Sequence, residues 1–449
     1  MRRLHVPFAL LQLLLLPVLS GALRAQGIPT PNILLIITDD LGHGDLGITG
    51  ARDIRTPHLD ALARQGIRFT QFYANAPLCT PTRAALISGR YQQRVAIEEA
   101  FGGATSVSAE HGLPARGTSL AQLLKTRGYA TGLIGKWHLG YKTEFSPAAH
   151  GFDTFWGIKS GYVDYYHHTD GAGRPDLFDG ETPTTANGYL TDLITERALR
   201  FVREHRARPF FLEVAYTAPH WPYQPPGRPT RAAGNADHLD ARDENPGTRA
   251  DYASMVERVD AGIGELVRLL ESLGIARNTL VIFTNDNGGE WLSRNAPFRH
   301  RKWTLWEGGI RVPTLMRWPG RIPAGRKTDQ VAITMDLTAT ILAAAGVAAP
   351  REAGHEGMNL LPTAMAQRAP VERTLFWRTR AGGMRQEAVR DGDWKLLVDG
   401  PSALLFNVRK DPGETRDLAA QRPEVARRLA LLLREWNQSV DADPARPAR

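Results

Sequence analysis

A single cysteine stands in 449 residues, in the run Cys79-Thr80-Pro81-Thr82-Arg83 that continues Ala84-Ala85-Leu86-Ile87-Ser88-Gly89-Arg90. A lone cysteine has no internal disulfide partner, so it is either a small buried hydrophobe or a group with chemistry to do. Thr80, Pro81, Thr82 and Arg83 make a poor apolar pocket, which favours chemistry. Thr80 reads as an N-cap, Pro81 is tolerated in a first turn, and Arg83 to Ile87 form helix until Gly89 stops it. The cysteine then lies at a helix start, where free N–H groups and the positive dipole end welcome a tetrahedral oxyanion.

Two further sets of residues share this character. Asp39, Asp40, Asp286 and Asn287 are short oxygen ligands, and oxygen-rich sites suit a hard cation, Ca²⁺ or Mg²⁺, rather than zinc. Taken singly, Asp-Asp and Asp-Asn-Gly read as turns. Asp45 is set aside as a loop hydrogen-bonder. The cationic set is Lys136 and His138 in Gly-Lys-Trp-His-Leu-Gly, His220 in Ala-Pro-His-Trp-Pro, and Lys302 at the head of Lys-Trp-Thr-Leu-Trp-Glu-Gly-Gly. The chain has only 8 lysines, and two of them fall in these motifs.

The elements that must position these residues alternate between strand and helix. Asn32 to Thr38 is a continuous apolar run, as expected of a strand buried on both faces, and it delivers Asp39 and Asp40. Strands over Tyr129–Ile134, Pro209–Tyr216 and Thr279–Thr284 deliver Lys136 and His138, His220, and Asp286 and Asn287. Helices are expected over Pro57–Gly66, Thr118–Arg127, Asp251–Leu273 and Val331–Gly346. The fold class is therefore α/β, a large mostly parallel sheet flanked by helices. In such sheets ligands bind at the carboxyl ends of the strands, so the clusters should converge in one crevice.

Cys-x-Pro-x-Arg with the Ala-Ala-Leu-Ile-Ser-Gly-Arg that follows resembles the signature of the type I sulfatases, in the alkaline phosphatase-like superfamily. The other motifs agree in order over roughly Pro31 to Pro319. The resemblance implies a sulfuric ester hydrolase whose Cys79 is oxidised by a formylglycine-generating enzyme to formylglycine (3-oxoalanine), the hydrate of which is the nucleophile. It implies one calcium ion on Asp39, Asp40, the modified Cys79, Asp286 and Asn287. Arg83 and Lys136 would hold the hydrate, Lys302 and His220 the sulfate and the departing alcohol. His138 would take the proton of the second hydroxyl. Two alternatives stay open: a phosphonate monoester hydrolase or phosphodiesterase of the same superfamily, or a non-catalytic binder of sulfated glycans if Cys79 is unmodified.

Composition bounds the rest. The formal net charge of +8 is spread without a Lys/Arg run or a nucleic-acid motif, so nucleic acid is not an expected partner. A cationic surface suits anionic substrates. Residues 1–22 read as a signal peptide, with Arg2 and Arg3, an apolar run interrupted by Pro17, and small residues at Ser20-Gly21-Ala22; Ala25 is an alternative end. The expected protein is periplasmic or secreted and free of the membrane after cleavage. A catalytic domain is expected over 27–370 and a small α+β subdomain over 371–440, with a short antiparallel sheet and a helix near Pro423–Asn437. Residues 441–449 read as a tail. Asp411 and Glu414 are taken as turn and cap residues. Tyr165, His168, Trp221 and Tyr223 are expected at the pocket rim, with Tyr165 and His168 assigned to substrate binding on a sulfated sugar or aryl group.

Overall fold

The computed structural model describes residues 30–102, 110–229, 247–383 and 385–443. The signal segment, most of the 225–248 loop and residues 444–449 lie outside them.

The strands of the first half are β1 (Asn32–Thr38), β2 (Ile67–Phe69), β3 (Phe72–Tyr73), β4 (Ala130–Lys136), β5 (Thr154–Ile158), β6 (Phe178–Asp179), β7 (Thr182–Pro183) and β8 (Phe210–Ala215). Then follow β9 (Thr279–Asn285), β10 (Thr314–Arg317), β11 (Arg326–Thr328) and β12 (Ala332–Ile333). Ten of these form one mixed sheet in the order β11-β2-β10-β9-β1-β8-β4-β5-β6-β7. Its centre, β9-β1-β8-β4-β5, is parallel throughout. Apolar runs such as Ile33-Leu34-Leu35-Ile36-Ile37 alternate between two cores. Leu34 and Ile36 meet helices α1 (Pro57–Arg64), α4 (Leu190–Glu204) and α5 (Arg249–Ser272). Ile33, Leu35 and Ile37 meet α2 (Cys79–Ser88), α3 (Leu120–Lys125) and α7 (Met335–Ala344). Both faces are buried, which is why these strands lack the alternation of a half-exposed sheet.

Two local expectations change. Leu78, extended at φ −147° and ψ 149°, is the residue before α2, so Cys79 and not Thr80 opens the helix. The Thr80 hydroxyl accepts instead from the Phe101 N–H at 3.1 Å. The Val331–Gly346 helix is shorter at its start, because Ala332 and Ile333 pair with β3 before α7 begins at Met335. There the extended backbone finds partners in Gln71 and Tyr73 that a helical turn would forgo.

Past the short helices α6 (Glu307–Ile310) and α8 (Leu361–Ala364), a second sheet is fully antiparallel: β13 (Thr374–Thr379), β14 (Gln386–Asp391), β15 (Trp394–Asp399) and β16 (Ser402–Asn407). Helix α9 (Pro423–Asp441) buries Leu429, Leu433, Trp436 and Val440. Asp411 is a turn residue, accepting from the Thr415 and Arg416 N–H groups. Glu414 does more than cap. It accepts from the Glu307 N–H that opens α6 and forms a buried ion pair with Lys395 at 2.9 Å.

A buried carboxyl group sits in the middle of the large sheet. Glu213 on β8 lies between Leu35 and Leu133, its Oε2 without a partner. Burial raises its pKa from the ordinary 4.5 to about 7, with Arg83 pulling the other way. A carboxyl whose folded pKa is raised keeps its proton in the fold while the unfolded chain loses one. Its cost is therefore absent below pH 4.5 and grows as pH rises to 7. Glu213→Gln is accordingly expected to add about 2 kcal/mol more stability at pH 8 than at pH 5. Denaturant unfolding at the two pH values measures it, and equal gains would show that Glu213 titrates normally.

Candidate active site

Sheet order decides which loops meet. β9, β1, β8 and β4 are consecutive neighbours, about 4.8 Å apart. Their carboxyl ends present Asp286 and Asn287, Asp39 and Asp40, the loop carrying His220, and Lys136 with His138. Helix α2 sets Cys79 against this row: its Sγ and one carboxylate oxygen each of Asp39 and Asp286 lie within 4.8 Å of one another. The backbone is strained where it turns. Asp40 and His138 hold left-handed conformations at φ 62° and 57°. Gly135, at φ +117°, lies so close to β8 that a Cβ there would stand 2.0 Å from the Ala215 carbonyl oxygen.

Each carboxylate is tied to a cation. The Arg83 Nε and Nη2 donate to Asp286 Oδ2 at 3.1 and 2.9 Å, and its Nη1 donates to the Lys136 carbonyl at 3.1 Å. Lys136 Nζ bonds Asp39, and Lys302 Nζ donates to Asp40 Oδ2 at 2.8 Å. Lys302 also lies 3.3 Å from Glu290 Oε2. Burial would discharge Lys302, but Asp40 and Glu290 outweigh it and hold the ammonium. Burial likewise pushes Asp39 up, while Lys136, His220, Arg83 and Lys302 together bring it below the usual carboxylate range. Asp40 is raised by burial and by Asp39, Glu290 and Asp286, against the pull of Lys302.

Both histidines are neutral. His138 Nε2 lies 2.8 Å from the Phe101 carbonyl, which can only accept, so the proton is on Nε2. Its Nδ1 keeps a free lone pair without a partner. Burial and the Lys136 charge lower its pKa well below 6.5. His220 Nδ1 donates to the Trp221 carbonyl, leaving Nε2 to accept from Lys302 Nζ at 3.2 Å. Burial and Lys302 lower His220 to about 3. The transferable proton of the pair therefore rests on Lys302.

A cysteine at a helix start, carboxylates at two strand ends and three buried cations form one constellation, and the Sulfatase family profile matches residues 31–347 around it. The chain belongs to the sulfatase family. A second profile, N-sulphoglucosamine sulphohydrolase, C-terminal, matches residues 298–439. N-acetylgalactosamine-6-sulfatase of Rattus norvegicus is 37% identical over 399 residues, 82% of this chain and 72% of that one. Arylsulfatase A of Bos taurus is 32% identical over 483 residues, 93% and 90% of the two chains. Among solved structures, Ps i-CgsB in complex with k-i-k-neocarrahexaose superposes with a TM-score of 0.82 at 30% identity, over 93% of this chain and 94% of the other. The protein is thus a sulfuric ester hydrolase by family.

The structure brings together Cys79, Asp39, Asp40, Arg83, Lys136, His138, His220, Asp286, Asn287 and Lys302. Asp45 stands apart as a loop hydrogen-bonder, accepting from Tyr252 at 2.6 Å and Arg249 at 2.6 Å. The expected rim is where this sulfatase departs from its sequence. Tyr165 is 1% exposed and its hydroxyl donates to the His220 carbonyl at 2.8 Å, so it anchors the loop that carries His220. His168 is 4% exposed inside its own loop. Trp221 and Tyr223 are also buried; the Tyr223 hydroxyl donates to the Glu290 carbonyl at 3.4 Å. Aromatic type alone does not say which way a loop side chain points. The ring that covers His220 belongs to Tyr162, stacked at 5.6 Å and 13°. Glu290 joins the site beside Lys302, and its place three residues after Asn287 in a strand-end loop is its one mark in the sequence.

Proposed function

We propose that this sulfatase hydrolyses a sulfate ester of a carbohydrate, with Cys79 converted to formylglycine and a calcium ion held by Asp39, Asp40, Asp286 and Asn287. The observation that carries the metal is the charge and bonding of the site. Asp39 Oδ1, Asp286 Oδ1 and Asn287 Oδ1 are buried acceptors without a partner, a cost that a cation bound by oxygen ligands removes. Four buried carboxylates, Asp39, Asp40, Asp286 and Glu290, face three cations, Arg83, Lys136 and Lys302. With all four ionised the carboxylates would outnumber the cations by one, a crowding that holds the Asp40 pKa up and that a bound dication would relieve. The carbohydrate class is supported by N-acetylgalactosamine-6-sulfatase, which matches 82% of the chain, and by Ps i-CgsB in complex with k-i-k-neocarrahexaose, which matches 93% of it.

When present, hydrated formylglycine supplies two geminal hydroxyls, one to attack sulfur and one whose later deprotonation releases sulfate, and calcium supplies a Lewis acid for the sulfate oxygens. The protein's own residues do the rest. Arg83 clamps Asp286 with two donors and, through the Lys136 carbonyl, fixes the end of β4. Lys136 and Lys302 neutralise negative charge developing on the sulfate oxygens and the leaving oxygen, in a site walled from water. Lys302 holds the proton for the departing alcohol, and His220 Nε2 orients that ammonium. His138 Nδ1, neutral and unpartnered, is the base for the second hydroxyl.

Exhaustive chelation is expected to remove activity and to lower the melting temperature. A ligand at 100–1,000 times its Kd stabilises by roughly 3–4 kcal/mol. Calcium should restore both, and a chelated enzyme with full activity and unchanged melting would refute the metal. Release of inorganic sulfate from an aryl sulfate and from 6-sulfated N-acetylgalactosamine, with aryl phosphate and phenylphosphonate as controls, tests the reaction itself. We further propose that residues 1–22 direct export, to be tested by amino-terminal sequencing of the mature protein.

A further inference from the structure

The loop between Gly289 and Lys302 carries a feature that the sulfate chemistry leaves unused. Its ends are pinned inside the site: Lys302 N–H donates to the Gly289 carbonyl at 3.2 Å, and Asn295 Nδ2 donates to the carbonyls of Gly289 and His300 at 2.9 and 3.2 Å. Within the pocket, Glu290 faces Lys302 at 3.3 Å. One residue further out on each limb, Trp291 faces Arg301, whose guanidinium carbon is 4.9 Å from the ring centre. Trp291 is 36% exposed and is the one exposed large aromatic side chain among the described residues. Its backbone is held at φ +46°, and His300 before Arg301 at φ +61°, both in the left-handed region that bulky residues avoid. Such a backbone persists only where the surroundings impose it. Arg301 is exposed, with no carboxylate in ion-pair range among the described residues.

We propose that Trp291 and Arg301 form a second carbohydrate subsite at the mouth of the sulfate pocket, which grips the sugar next to the one being desulfated in an anionic oligosaccharide. The inference deepens the carbohydrate reading above and rests on it. An exposed indole is a platform for the apolar face of a sugar ring. The Arg301 guanidinium over that indole, in none of the ion pairs among the described residues, offers parallel donors to a sulfate or carboxylate on the sugar. Glu290 and Trp291 are consecutive, as are Arg301 and Lys302, so one loop orders both the scissile sulfate and the neighbouring unit. An aryl sulfate or a monosaccharide sulfate reaches only the inner pair. A chain of two or more sugars reaches both.

The test uses full-length enzyme in three forms, unchanged, Trp291→Ala and Arg301→Ala, on an aryl sulfate, a sulfated monosaccharide and sulfated tetrasaccharides of the galactosaminoglycan and carrageenan types. Each variant is expected to raise KM for the tetrasaccharides about 10-fold, the size of one stacking or charge-assisted contact. The aryl sulfate and the monosaccharide should keep their constants within a factor of two or so, the scatter expected of surface substitutions. The Arg301→Ala loss should shrink at high salt, which screens the contact in unchanged enzyme. In a Cys79→Ala background, tetrasaccharide binding read by calorimetry should weaken by the same factor. Equal effects on all substrates would place the pair in the reaction centre, and no effect on any tetrasaccharide, or no tetrasaccharide bound at all, would overturn the subsite. Absence of sulfate release from every ester tested, aryl, monosaccharide and tetrasaccharide alike, would instead refute the sulfatase chemistry.

Discussion

Cys79→Ala is expected to abolish sulfate release while leaving the fold in place. Loss of a nucleophile costs roughly 10⁴–10⁶ in turnover, because the binding groups that remain supply only a small part of the rate. Cys79 is the first residue of a helix buried along its length, and Ala is at least as good a helix former, so the melting temperature should hardly move. Cys79→Ser should be equally inactive in steady state. A serine has a single hydroxyl, so nothing is left for His138 Nδ1 to deprotonate once sulfur has been attacked. A brief burst followed by arrest is its expected signature. Sustained turnover in either variant contradicts the assignment of residue 79.

Lys302→Ala should lower turnover by roughly 10²–10³ on every sulfate ester, aryl or carbohydrate, the usual loss for one oxyanion donor in a dry site. Its ammonium lies 2.8 Å from Asp40, 3.3 Å from Glu290 and 3.2 Å from His220, so the change also leaves two carboxylates without their counter-ion. His220→Ala is expected to fall in the same range. Because Lys302 donates to His220 Nε2, the two act as one unit, and the double variant should cost little more than the worse single one. Steady-state constants for the four enzymes on two ester classes decide it. Additive losses would separate the pair, and a loss confined to one class would move Lys302 from the sulfate to the alcohol side.

The parts of this molecule that were legible in its sequence are those where one short segment carries both the structure and the chemistry. β1 carries five consecutive aliphatic residues, Ile33 to Ile37, and runs into Asp39 and Asp40, the pattern of a strand buried on both faces. β9 likewise runs through Leu280 to Phe283 before Asp286, while β4 is marked by Leu133 and Ile134 just ahead of Gly135 and Lys136. What the sequence concealed depends on contacts between distant segments. Tyr165 looked like a rim residue because aromatic loops often are, yet its hydroxyl reaches 55 positions along the chain to the His220 carbonyl. Beyond its place after Asn287, Glu290 carries no signal of its own in the sequence, and its pairing with Lys302 appears only in the fold. Glu414 reads as a turn residue, and only the packing of the second sheet on α6 reveals its pair with Lys395. Ala332 and Ile333 fit a helix by composition, but β3 offered their backbone a better partner.

The central claim is that residue 79 acts as formylglycine in a sulfatase site, and the mass of the peptide that contains it tests this most directly. Enzyme co-expressed with a formylglycine-generating enzyme should show that peptide with the thiol replaced by an aldehyde, and inorganic sulfate released per second should rise in proportion to the converted fraction. A peptide carrying an intact Cys79 thiol throughout, in enzyme that still turns over sulfate esters at full rate, would contradict the account.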